Sequence, residues 1–432
     1  MASWPSNWTT ATAPAISFRT SSRPSRVKAV GDASFRGLLP LGEALERLLA
    51  LADSGLVKGT ECVPLAAADG RVLAEALHAV SDLPPWPNSA MDGYALAHAD
   101  WVGEPMEVSQ RIFAGHSPTP LKPGTCARIF TGAPVPEGAD CVQMQENAQV
   151  DDDGRVHFTR PATAGLNIRP RGQECTAGER VLEAGTRLGP IELGLAATLG
   201  AAHVTVTRKP RVAVLSTGDE LVAPGEPLGP GQIYNSNRTL LCSWLARTGC
   251  EVVDAGIIVD DLALTRDALA RLHEVDLILT TGGVSVGEAD YLGQALREGG
   301  QLSLWKLAIK PGKPLTVGQY QGTVVIGLPG NPASTLVTFA LLARPYLLRL
   351  MGCTRVLPRG HRVAAGFKWP EGSRREFLRA RVHEGRAELY PNQSSGVLRS
   401  AAWADGLIEV PEGQAVAEGN TVNFIPMSEL LA

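Results

Sequence analysis

The chain has 432 residues, about three folding units at roughly 150 residues each, which excludes a single small module. Apolar residues make up 44% and charged residues 19%, enough for each unit to bury its own core and too apolar for wholesale disorder. The net charge of −4 is unevenly spread: residues 1–37 hold five cations and one anion, leaving 35 basic and 43 acidic residues in a body whose acidity argues against nucleic-acid binding.

Residues 1–37 are basic, rich in Ser, Thr and Pro, and lack an apolar segment of signal-peptide type; they read as a disordered extension, with an organellar transit peptide, an added leader or a misplaced start as alternatives. From Leu41 the run LGEALERLLALA has helical spacing. Residues 60–208 are mostly β, with short apolar runs such as ARIF, CVQMQE and HVTVTR separated by Gly, Pro and Asp. Over residues 209–353 the pattern changes: RVAVLS, EVVDAGIIV, VDLILTTGG and TVVIGLPG alternate with helical patterns at 235–248, 262–274, 288–298 and 333–350, which predicts a parallel sheet with crossover helices. Residues 354–432 return to short strands and predict a small terminal β domain. The seven cysteines include no C-x-x-C pair, and no run of about 18 apolar residues is present, so a reduced, cytoplasmic enzyme without disulfide framework, zinc site or membrane span is expected.

Ligands of open parallel sheets bind beyond the carboxyl ends of the strands. Four loops fall there: Thr217-Gly218-Asp219-Glu220, Asp260-Asp261, Thr281 to Asp290, and Leu328 to Ser334. They hold six acids, each of which has a plainer role as a helix cap. Gly282 and Gly283, with Gly287, let backbone N–H groups approach an anion, and no G-K-[ST] follows to make a Walker loop. Between Glu298 and Glu371 lie 72 residues with no acid and nine cations, and WKLAIKPGKP packs Lys306, Lys310 and Lys313 into eight residues. Lysines, glycine-rich amides and carboxylates together suit a phosphorylated ligand with Mg²⁺; lysines on a solvated strand are the plain alternative.

Gly283 to Gly287 also matches the G-x-S-x-G nucleophile elbow with Ser285 at its centre. A hydrolase needs a later acid and His; only His361 and His383 follow, and with Asp290 on the elbow's own helix the acids left are Glu298, Glu371 and Glu376. A binding scaffold without turnover is the third class, against which stands the electrostatic cost of crowding charges where no ligand uses them.

Seven segments in order carry a family resemblance: Ser89 to Ala95 (SAMDGYA), FTGAPVPEGAD (130–140), STGDEL (216–221), IYNSNR (233–238), TTGGVSVGEADYL (280–292), WKLAIKPGKP (305–314) and GLPGNPAS (327–334). On these the chain resembles the molybdopterin molybdenumtransferases, the MoeA family that includes the gephyrin E domain. The resemblance implies an elongated multidomain chain of α/β plus β class. A three-layer α/β domain of the molybdopterin-binding fold (209–353) is expected beside a linker and dimerisation subdomain (38–86 and 162–208), a β subdomain (87–161) and a C-terminal β-barrel-like domain (354–432). It implies a homodimer whose cleft is shared between subunits, and insertion of molybdate into adenylyl-molybdopterin with release of AMP. Functional positions carried over are Asp92, Thr131, Glu220, Asp260, Asp290, Lys306 and Lys310, with Glu220 and Asp290 holding Mg²⁺. Substrate contacts implied are Gly282, Gly283, Ser285 and Asn331, with Lys313, Ser334, Arg374 and Ser395 for the oxyanion. Contact with the molybdopterin adenylyltransferase, which shares the α/β domain, also follows; that activity and a non-catalytic pterin scaffold are the alternatives. The chain departs from the pattern at Gly396-Val397, where eukaryotic members tend to have Ser-Arg, and at Glu174, where a bacterial relative has Asp.

Overall fold

The computed structural model describes residues 37–283 and 291–431. Residues 1–36 of the expected extension lie outside these, as do Ser285, Gly287, Glu288 and Asp290.

The central sheet runs, in spatial order, Glu251–Ile258, Arg211–Thr217, Leu277–Thr281, Thr323–Leu328, Pro314–Tyr320 and Gly300–Lys306. The first four strands are parallel, and the last two add antiparallel. The sheet is thus mixed: the sequence predicts its parallel half, while GQLSLWK and PLTVGQY, interrupted by Gly and polar residues, hide the rest. Successive side chains of a strand face opposite ways. Val212, Val214, Leu277, Leu279 and Ile326 therefore meet Leu241, Trp244 and Leu245 of helix Ser236–Thr248 on one face. Ala213, Leu215, Ile278 and Val325 meet Leu269, Leu292 and Leu296 of helices Leu262–Arg271 and Tyr291–Gly299 on the other, completing three layers. Both faces are covered, so truncating a fully buried central residue such as Leu279 to Ala costs about 2–5 kcal/mol.

Helix Leu41–Ser54, assigned with the linker on sequence, belongs to this core. Ala44, Leu45, Leu48 and Ala52 form one buried stripe and join the cluster of Tyr346, Leu347 and Leu350. A stripe shows that a helix is amphipathic but not which surface covers it. The predicted helix 333–350 is a continuous rod of three parts: Pro332–Thr338, a π turn at Phe339–Ala343, and Arg344–Leu350. Pro345 cannot donate to an upstream carbonyl, and the wide turn just before it carries the rod past that gap.

The C-terminal domain is a six-stranded sheet closed by the pairing of Arg375–His383 with Gly406–Val410 around Val363, Leu378, Ile408 and Phe424. Its sixth strand comes from the α/β region: Ile309–Lys310 pairs in parallel with Arg375 and Glu376. In the β-rich region, Gly93–Leu96 lies between Thr125–Ile129 and Cys141–Met144. A Cβ at Gly93 would collide with the Gln143 carbonyl, so this close pairing requires glycine. After residue 161 the chain is still held by this sheet, through Val142 N–H to the Leu166 carbonyl and the pairing of Ile168–Arg169 with Asn88–Ser89. The linker region is built from Thr60–Pro64 with His203–Thr207 and Leu77–His78 with Arg180–Leu182. Among the described residues no helix is long and apolar enough to cross a membrane.

Candidate functional site

Three groups of predicted residues stand in the structure. The first lies at the carboxyl ends of the parallel strands. The Gly218 N–H donates to the Ile258 carbonyl (3.3 Å) and the Asp260 N–H to the Asp219 carboxylate (2.9 Å), which ties the first two loops together. The Glu220 carboxylate folds over Gly218, where any Cβ would strike it. Gly282, at φ +86°, packs its Cα on the Thr217 carbonyl with no room for a side chain, and Gly330 comes up beside it. Burial together with the charges of Asp219 and Glu220 pushes the Asp260 carboxyl above its ordinary pKa. Asp261 takes the plainer role: its side chain accepts from the Leu264 N–H (2.8 Å) and caps helix Leu262–Arg271. Thr217 Oγ1, Asn235 Nδ2, Asn237 Oδ1 and Thr280 Oγ1 are buried there or nearby and have no hydrogen-bond partner among the described residues. Unsatisfied buried polar atoms are rare in folded proteins, and a ligand with its own donors and acceptors would satisfy them. Asn237 Nδ2 also donates to the Gly330 carbonyl (2.7 Å), joining IYNSNR to the fourth loop.

The second group lies where the α/β and C-terminal domains meet. Lys310 Nζ is 3.3 Å from both carboxylate oxygens of Glu376, which is 7% exposed and also accepts from Trp369 Nε1 (3.2 Å). Arg374 donates to the Ile309 carbonyl (3.1 Å), beside Lys310. The Lys313 carbonyl receives the Leu307 N–H (2.6 Å), which closes the lysine turn with Lys306 at its mouth. The Ala333 N–H donates to the Ser395 carbonyl (2.9 Å), placing Ser395 against the segment Asn331 to Ser334. Lys310, Trp369, Glu376, Arg379, Gln393 and Ser394 line a cavity of about 290 Å³ at this junction.

The third group lies in the β-rich region. Asp92 accepts from both the N–H and the Oγ1 of Thr131, at 2.8 Å each. These two donors, with the positive charge of Arg128, hold the Asp92 carboxyl below its usual pKa. Arg128 lies over the Phe130 ring at 4.5 Å and donates to the Gly93 carbonyl (2.8 Å). Among the described residues, no hydrogen bond or ion pair joins Asp92 or Thr131 to the other two groups.

Comparison with known proteins matches the three parts of the chain to three regions of one family. Residues 39–200 match the MoeA N-terminal region (domain I and II), residues 213–349 the probable molybdopterin binding domain, and residues 362–427 the MoeA C-terminal region (domain IV). The chain is 43% identical to the molybdopterin molybdenumtransferase of Haemophilus influenzae over 296 residues, 68% of this chain and 73% of the relative. It is 35% identical to that of a Nostoc species over 387 residues, covering 84% and 88%. The chain belongs to the molybdopterin molybdenumtransferase (MoeA) family. Two crystal structures described as the molybdopterin biosynthesis MoeA protein of Pyrococcus horikoshii share the fold, one at 28% identity and a TM-score of 0.77 and the other at 32% and 0.71, each over 90% of this chain.

Of the positions carried over from the MoeA family, Glu220, Asp260, Gly282 and Gly283 converge at the strand ends. Lys306, Lys310, Lys313, Asn331, Ser334, Arg374 and Ser395 converge at the junction, and Asp92 pairs with Thr131 elsewhere. Ser285 and Asp290 lie outside the described residues, and His361 and His383 sit on the C-terminal domain, one against Phe424 and the other beside Glu384. Sequence alone assigns no role here to Trp369 and Arg379, which share the junction, considers Glu376 only as a hydrolase acid, and leaves Asn235 and Asn237, whose motif is quoted above, without roles.

Proposed function

We infer that this chain acts in molybdenum cofactor biosynthesis as a molybdopterin molybdenumtransferase, taking adenylyl-molybdopterin and molybdate and releasing AMP and the molybdenum cofactor. The observation that carries this is the ordered match of all three MoeA regions on one chain, with relatives so named at 35–43% identity. The flanking β regions distinguish it from an adenylyltransferase, which the α/β domain alone would resemble.

Among the described residues no three carboxylate, histidine or cysteine side chains are grouped to hold a metal ion, so the magnesium site is proposed from the chemistry of the oxygen donors at the strand ends together with Asp290. Asp219, Glu220 and Asp260 are oxygen donors; burial, with the charges of Asp219 and Glu220, raises the pKa of Asp260, and a hard cation would offset both effects. Glu220, with Asp290 from outside the described residues, would hold it. When bound, the ion would neutralise charge developing on the departing AMP. The chain's own groups then divide the work. Lys306 and Lys310 take the anionic phosphates as point charges, and Gly282 and Gly283 leave the backbone bare for close approach. Lys313, Ser334, Arg374 and Ser395 supply donors to molybdate, a dianion that carboxylates would repel. Asp92, held ionised by Thr131, gives a fixed acceptor.

We further propose a homodimer in which Asp92 and Thr131 of one subunit complete the cleft of the other. This is supported by the separation of that pair from the strand ends and by Val80 and Ile191, apolar side chains 82% and 81% exposed in the linker region. The cytoplasm, and contact with the adenylyltransferase that supplies the substrate, complete the proposal. Purified protein given adenylyl-molybdopterin, Mg²⁺ and molybdate should release AMP in proportion to molybdate; release indifferent to molybdate would refute the transferase reading.

A further inference from the structure

Strand Arg375–His383 carries a cation where no solvent reaches: Arg379 is 0% exposed. Its guanidinium donates to Ser400 Oγ (3.0 Å), the Ser394 carbonyl (3.2 Å) and the Phe377 carbonyl (3.3 Å). The Gln393 side chain accepts from the Arg379 N–H and donates to its carbonyl, both at 2.9 Å. Every acceptor of the guanidinium is neutral, and among the described residues no carboxylate pairs with it. Burial pushes its pKa down to about 10, which leaves it charged at neutral pH. A buried, unneutralised cation is costly, so a purely architectural role is better served by an apolar residue of similar size.

Arg379 stands behind the junction site. It lines the 290 Å³ cavity with Lys310, Gln393 and Ser394. The turn it grips leads directly to Ser395, whose carbonyl receives the Ala333 N–H beside Ser334. Among the described residues Glu376 is the one acidic residue lining the cavity, and it is already engaged by Lys310 and Trp369. The surplus charge facing the cavity is therefore positive.

We propose that Arg379 is a positioning residue for the tetrahedral oxyanion substrate: its guanidinium fixes the 393–400 turn so that Ser395 meets the lysine turn, and its charge favours a dianion in the junction cavity. This rests on the molybdenumtransferase reading and adds a residue which that reading leaves without a role. Three acceptors in different directions require the planar fork of arginine, which a lysine ammonium cannot reproduce.

The test uses the full chain and two variants, Arg379→Lys and Ser400→Ala. Arg379→Lys should raise the KM for molybdate about tenfold, the scale of one lost charge-assisted hydrogen bond, while kcat at saturating molybdate and the KM for adenylyl-molybdopterin stay within about twofold. Ser400→Ala, which removes one neutral acceptor, should move the molybdate KM about threefold in the same direction. A fall in kcat with the molybdate KM unmoved in both variants would reduce Arg379 to a structural residue and overturn the proposal. If Arg379→Lys does not fold, Ser400→Ala and Gln393→Ala decide the matter by the same split. Calorimetric titration of molybdate alone separates the two readings. Weaker binding by Arg379→Lys in a protein whose wild type shows no molybdate-dependent AMP release would uphold the positioning role and remove the transferase reading. Equal binding by both proteins would overturn the positioning role and leave the transferase reading to the AMP-release assay alone.

Discussion

Asp92 and Asp260 are half-buried aspartates at strand ends, and their surroundings act in opposite directions. Asp92 receives two hydrogen bonds from Thr131 and the field of Arg128, which lower its pKa. Asp260 is partly desolvated beside Asp219 and Glu220, which raise it. A carboxylate whose acceptors are filled by its own chain is a finished part, an anion of fixed position. One crowded by like charges lacks a positive partner, and the folded chain keeps that tension ready for a ligand.

The largest effect should come from the crowded side. Glu220→Gln should lower molybdate-dependent AMP release about a hundredfold, the scale of removing one preorganised charge-stabilising group. Turnover within threefold of wild type at saturating Mg²⁺ would take Glu220 out of the reaction. The next experiment asks whether the two aspartates serve one cleft from two subunits. Asp92→Asn and Glu220→Gln homodimers should each be nearly inactive, whereas differently tagged mixed dimers should recover about half the wild-type activity, because one cleft takes both lesions and the other neither. Recovery no better than the parents would place both groups in one subunit.

Two smaller effects probe the aspartates directly. Thr131→Val removes one of the two donors to Asp92, so NMR titration should find its pKa moved upward, and turnover should fall about tenfold. Because the folded-state pKa of Asp92 is depressed, its contribution to stability is present above the unfolded-state value and disappears as pH falls through the folded one. The variant should therefore differ from wild type in acid unfolding, with matching acid curves counting against the hydrogen bond. Asp260 has the opposite sign: its pKa is raised, so its favourable contribution exists below the unfolded value and is lost as pH rises through the folded one. Asp260→Asn should make the protein slightly more stable at neutral pH, by at most about 0.5 kcal/mol after solvent screening, and that advantage should fade on acidification. Denaturant unfolding at pH 7 and pH 4 reads this, and a loss of stability at pH 7 would contradict the crowding.

The sequence revealed what is periodic or local. Strand and helix alternation marked the parallel half of the sheet, the glycine pair marked the close approach to Thr217, and Asp261 stood where a helix cap belongs. Hidden were pairings between distant short segments. Ile309–Lys310 is too brief to show a period, and its partner strand begins at Arg375, so nothing local announces that Lys310 meets Glu376. Arg379 misleads for a related reason: in FLRARV a cation between apolar residues reads as the solvent side of a half-buried strand, yet here both sides are covered. The carboxylates and lysines were thus readable as chemistry, while their assembly into three separate groups required the fold.

The region that carries Asp92 is joined to the linker by two passages of chain, and these are bonded to each other. Leu83 exchanges backbone hydrogen bonds with Cys175 and Glu174, the Gly172 N–H reaches the Pro84 carbonyl, and Asn88–Ser89 pairs with Ile168–Arg169. Mechanically the connection is a ribbon rather than two strings. A two-stranded ribbon flexes across its flat face and resists bending in its own plane, because in-plane bending stretches the hydrogen bonds at one edge. Any bending of this ribbon would therefore favour movement across its flat face. Asp92 lies three residues past Ser89, and Thr131 is clamped to it, so any such bending would carry the pair as a single body with its two hydrogen bonds intact.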